Sequence, residues 1–137
     1  MAQSDQPAHN VTRLLYWVLL GGQLIFLAFA LMMLRGRAHW ANPDFSGDVL
    51  YWLLPVFTLG AIVAAFWAGA RRDERLNSIQ NPEARSNFAR ETVLLKCAMV
   101  EGANLYAIII AVVSLSYLPL VFLALGLLAF AFFYPRG

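Results

Sequence analysis

Leu14 to Leu34 passes without a single charged residue, and the stretches near 49–70, 92–115 and 118–134 are almost as apolar. Roughly twenty such residues, each rising 1.5 Å in a helix, match a hydrocarbon core of about 30 Å. The expected fold is all-α: a four-helix transmembrane bundle of two antiparallel hairpins, forming one integral membrane domain over residues 1–137. Composition points the same way. Hydrophobic residues make up 61% and charged residues 13% of the chain, against about 45–50% and about 25% in soluble domains. With a formal net charge of +2, the chain lacks the basic soluble surface of a nucleic-acid binder. The single cysteine, Cys97, has no partner for an intrachain disulfide.

Residues 1–12 read as a polar tail, with Asn10 or Thr12 placed to cap the first helix. That span is bracketed by Arg13 on one side and Arg35 and Arg37 on the other. Gly21, Gly22 and Gln23 interrupt it, and Gln23 is expected to hydrogen-bond across a close helix contact. The following connection holds His39, Asp44 and Asp48, whose spacing matches no metal pattern and reads as a solvated turn. The second span contains Pro55, expected to kink it near Tyr51. Gly60, Ala64 and Ala68 recur every four positions and are expected to form a smooth face against the third helix.

Next comes the one strongly charged segment, 71–91, with Arg71, Arg72, Arg75, Arg85 and Arg90 set against Asp73, Glu74, Glu83 and Glu91. Asn81-Pro82-Glu83 is a helix start. Asn supplies the capping oxygen, proline's missing donor costs nothing at the first helical position, and the acid meets the positive helix end. Positive charge also sets orientation: Arg13, the loop arginines and Arg136 lie on one side, so both termini and the 71–91 loop are expected to be cytoplasmic.

The third span carries the residue that focuses any functional reading, Glu101. A charged Asp at the centre of a spanning helix costs about 2.5–3.5 kcal/mol, and Glu is comparable, so such a group marks a pathway or a protein contact. Hydrocarbon favours the neutral carboxyl, which could then exchange protons near physiological pH. Asn104 lies one turn on and is expected to assist, making Glu101 and Asn104 the proton or ion candidates. The alternatives are a structural polar contact to Gln23, Asn104 or a backbone carbonyl, and a contact to a partner. No motif for a cofactor or a metal is read, and the buried polar residues assemble no set of nucleophile, base and oxyanion donors.

The run from Gln80 to Glu101, preceded by a small-residue helix, resembles the hairpin of rotary ATPase proteolipid (c) subunits. In that family a cytoplasmic loop of the Arg-Gln-Pro type is followed about five helical turns on by the proton-carrying carboxylate. The matching positions here are Gln80, Asn81 and Pro82 for the loop and Glu101 for the carboxylate. The likeness covers about residues 58–115. It departs from the family in its Gln-Asn-Pro loop, in alanines replacing the glycine repeat, and in the spans on either side. What it implies is a proteolipid-like hairpin, not rotor function. The expected role is that of an accessory or structural membrane component without catalysis of its own, with proton or cation transfer through Glu101 as the alternative. The expected partners are the lipid bilayer and either further copies of the chain or a larger membrane complex.

Overall fold

A computed structural model describes residues 6–135, with side chains from residue 10 onward; the first five residues, Arg136 and Gly137 lie outside the described residues. Four helices follow in order, α1 (Gln6–Leu34), α2 (Val49–Leu76), α3 (Pro82–Ser114) and α4 (Pro119–Phe132). The first three are long and apolar enough to cross a bilayer, whereas α4 is a shorter apolar helix of 14 residues. The helices alternate in direction, and the consecutive pairs that pack together are α2 with α3 and α3 with α4. α3 is the hub, packing against each of the other three, and α2 also packs against α4. α1 and α2 do not pack against one another.

The helix ends follow from local chemistry. α3 begins as Asn81-Pro82-Glu83 requires: the Asn81 side chain accepts from the Glu83 amide at 3.0 Å and proline occupies the first turn. Asp48 caps α2 in the same way, accepting from the Leu50 amide at 2.8 Å. α1 corrects the expected cap. Helix already runs through Gln6, so Asn10 and Thr12 lie inside it, and Thr12 is buried. The polar tail joins the helix because nothing before Arg13 breaks it except Pro7, and proline is tolerated in a first turn. α3 ends at Leu115, whose left-handed backbone (φ 50°, ψ 42°) turns its amide onto the carbonyls of Ala111 and Val112.

Two apolar clusters fill the interior. One, towards the 71–91 loop, gathers Tyr16, Ala65, Cys97, Val100, Phe130 and Phe133. The other, towards the opposite end, gathers Ala30, Leu54, Ala107, Ile108, Ile110 and Leu123. At that far end the α1–α2 connection is fastened to the α3–α4 turn. His39 and Tyr117 exchange backbone bonds with Leu115 and His39 (3.0 and 2.9 Å), the Leu118 amide and the Ser116 hydroxyl donate to the Trp40 carbonyl, and Asn42 donates to the Ser114 carbonyl at 2.9 Å. His39 therefore takes part through its backbone, Asp48 through its cap, and Asp44 through an amide donated to Asn42.

The small-residue face of α2 sits differently from expectation. Gly60 is exposed with open space where a Cβ would stand, and Ala64 and Ala68 are only half-buried. The stripe turned inward is Leu54, Thr58, Ala65 and Gly69. Small residues occur on both neighbouring faces of α2, so spacing alone did not choose between them; the larger buried neighbours Leu54 and Thr58 set the rotation.

Candidate functional site

The polar interior is built on one contact. α1 brings Gln23 and α3 brings Asn104 to the bundle centre, each 1% exposed, and the Asn104 Nδ2 donates to Gln23 Oε1 at 2.7 Å. A third helix closes on the pair: a Cβ on Gly126 of α4 would overlap the Asn104 side-chain oxygen. Glycine lets the α4 backbone come close, which a side chain would prevent. Gln23 Nε2 and Asn104 Oδ1 are buried with no hydrogen-bond partner among the described residues.

Glu101 stands apart from this pair. It lies one turn before Asn104 on α3, yet three residues correspond to a rotation of about 60° at 3.6 residues per turn. That rotation carries Asn104 into the core and leaves Glu101 half-buried at the rim. Among the described residues Glu101 makes no hydrogen bond and no ion pair, and no group of three metal-ligating side chains occurs. The pairing of Glu101 with Asn104 is thus replaced by Asn104 with Gln23. Gln23 does join two helices, with Asn104 as its partner.

The loop arginines divide. Arg72 alone enters a network: its Nε donates to Thr92 Oγ1 at 2.8 Å, its terminal nitrogen lies 3.3 Å from Glu91, and its guanidinium covers the Phe88 ring at 4.1 Å. It clamps the mouth of the α2–α3 hairpin. Arg71 stacks on the Trp67 ring of its own helix at 4.8 Å. Arg75 and Arg85 are exposed and Arg90 is half-buried.

Sequence reading missed three contacts. Gly126, the single break in an otherwise Leu, Ala and Phe helix, was the visible signal for the approach to Asn104. Tyr16 donates its hydroxyl to the Phe130 carbonyl at 3.0 Å and packs its ring on Phe130. Tyr106 donates to the Leu50 carbonyl at 2.6 Å and lies against Phe57. Nothing local marked either tyrosine, because a Tyr in an apolar helix reads equally as an interfacial ring.

No protein-family model, no curated protein and no solved structure matches this chain.

Proposed function

We propose that this protein is a multi-pass integral membrane component, an accessory or structural member of a membrane assembly with no catalysis of its own. The observation that carries this reading is the broad band of exposed apolar side chains along α1 and α2, including Trp17, Ile25, Phe29, Val56, Val63 and Phe66. Exposed apolar surface on that scale marks contact with lipid or with other proteins. The buried polar groups serve as ties between helices. Positive charge orients the chain with both termini and the 71–91 loop in the cytoplasm. The α2–α3 pair serves in this reading as a proteolipid-like hairpin used as scaffold.

Three measurements test it. Alkaline carbonate extraction should leave the chain in the membrane fraction, and cysteines placed at Ser78 and Gly47 should react with an impermeant maleimide from opposite sides. Release by carbonate, or labelling of both from one side, would defeat the reading. Purification in mild detergent should then yield a defined stoichiometric assembly, and a lone monomer would count against an accessory role.

A second reading, proton or cation transfer through Glu101, is favoured by a half-buried carboxyl that makes no hydrogen bond and no ion pair among the described residues. Reaction of Glu101 with a hydrophobic carbodiimide at neutral pH, abolished in Glu101→Gln, supports it. Proton-linked activity that survives Glu101→Gln unchanged excludes it.

A further inference from the structure

We propose that the open face of α3 between α1 and α2 docks a membrane-spanning helix of a different protein, one that brings a lysine to the depth of Glu101 as its counter-charge. This rests on the membrane-component reading and names the face and the chemistry of the partner.

α3 is covered on three sides. Asn104 turns to α1, Tyr106 and Thr92 turn to α2, and Val100 packs in the cluster with Phe130 of α4. The fourth side carries Leu95, Ala98, Gly102, Ile109 and Val113, all exposed and spaced three, four or seven apart on one stripe. Since α1 and α2 do not pack together, they stand as walls on either side of this stripe. Ala98 and Gly102 lower its floor, and a Cβ on Gly102 would meet nothing within 4 Å. Glu101 lies half-buried to the α1 side of that floor, one turn on from Ala98, with no hydrogen bond or ion pair among the described residues.

Its depth makes the vacancy costly. Glu101 lies nine residues into the apolar stretch that opens at residue 92, or about 14 Å along the helix. Lipid tails offer no donor there, and an ionisable group at such depth is normally paired or turned to protein. A second copy of this chain is a poor occupant. The other polar residues of its mid-span, Gln23, Thr58 and Asn104, are buried, so a copy would offer only its own Glu101, an acid that supplies no counter-charge. Lys96 lies on another side of α3, its ammonium 5.8 Å from the Phe133 ring and its stem against Gly69. A helix with small contact residues and one lysine fits both requirements, because the long apolar stem lets the ammonium reach the carboxylate while the backbones stay close.

The test uses the full chain in phosphatidylcholine vesicles and a synthetic single-span leucine peptide carrying one central lysine, read by energy transfer. Association should be about tenfold tighter than for the all-leucine peptide, the equivalent of one intramembrane polar contact. Glu101→Gln should erase that preference. Gly102→Leu, which fills the floor and leaves the carboxyl in place, should weaken association of both peptides while helix content is unchanged. Equal association of the two peptides with the wild-type chain overturns the proposal, as does a lysine preference that survives Glu101→Gln. Glu101-dependent self-association of the chain labelled in two colours also overturns it, in favour of a second copy. Carbonate release overturns this proposal and the membrane reading together, whereas retention without lysine preference overturns this one alone.

Discussion

Asn104 and Gln23 meet across α1 and α3 through one hydrogen bond of 2.7 Å, and each amide keeps one buried polar atom unmet. A single replacement by leucine strands the other amide in an apolar interior, whereas replacing both removes the donor and the acceptor together. Gln23→Leu and Asn104→Leu should each destabilise by about 1–2 kcal/mol, the upper range for interhelical contacts in membranes. The double variant should cost less than their sum. Unfolding in mixed micelles, followed by circular dichroism, reads the cycle; strict additivity would argue that the two side chains do not cooperate.

Gly126 sets the clearance for that contact. Gly126→Ala should destabilise by about 1–3 kcal/mol through overpacking, because the new methyl falls on the Asn104 side-chain oxygen. Adding Asn104→Ala should recover part of the loss. Gly69→Ala meets only the mobile end of Lys96, and Gly60→Ala meets nothing, so both should be near neutral. Thermal midpoints across this glycine series check the ranking Gly126, Gly69, Gly60.

Arg72 is the one loop arginine whose loss should be felt. Its side chain is 26% exposed while that of Glu91 is 66% exposed, so the bond to Thr92 and the cover on Phe88 matter more than the ion pair, which at a surface is worth about 0–1 kcal/mol. Arg72→Lys should loosen the hairpin mouth, since a point charge cannot reproduce the planar fork. Hydrogen exchange in the first turns of α3 should quicken in Arg72→Lys and stay unchanged in Glu91→Ala.

Leu115 holds a left-handed backbone at φ 50°. That conformation costs a branched side chain about 1–2 kcal/mol and glycine nothing comparable. Leu115→Gly should therefore raise the thermal midpoint despite the extra freedom it gives the unfolded chain. A lowered midpoint would mean that the leucine side chain contributes more packing than its 39% exposure implies.

The helices and the start of α3 were legible because each rests on a local signal: an apolar run, or Asn81, Pro82 and Glu83 in sequence. The facing of the helices was not. In a chain this apolar the side turned to lipid is as hydrophobic as the side turned to protein, so burial leaves no periodic trace. Gly60 and Gly69 illustrate this, since only the structure tells which of them faces a neighbour. Glu101 and Asn104 illustrate it again. On the sequence they are one turn apart and appear as a pair, but three residues fall about 60° short of a full turn, and that separates a core amide from a rim carboxyl.

The lack of close backbone contact between α1 and α2 bears on how the protein is made. α1 and α2 leave the ribosome before α3 with no close backbone contact to make, and the clasp between their connection and residues 114–118 cannot fasten until those residues have been synthesised. A nascent chain halted after α2 would hold two helices without a common seam, which only α3 can join.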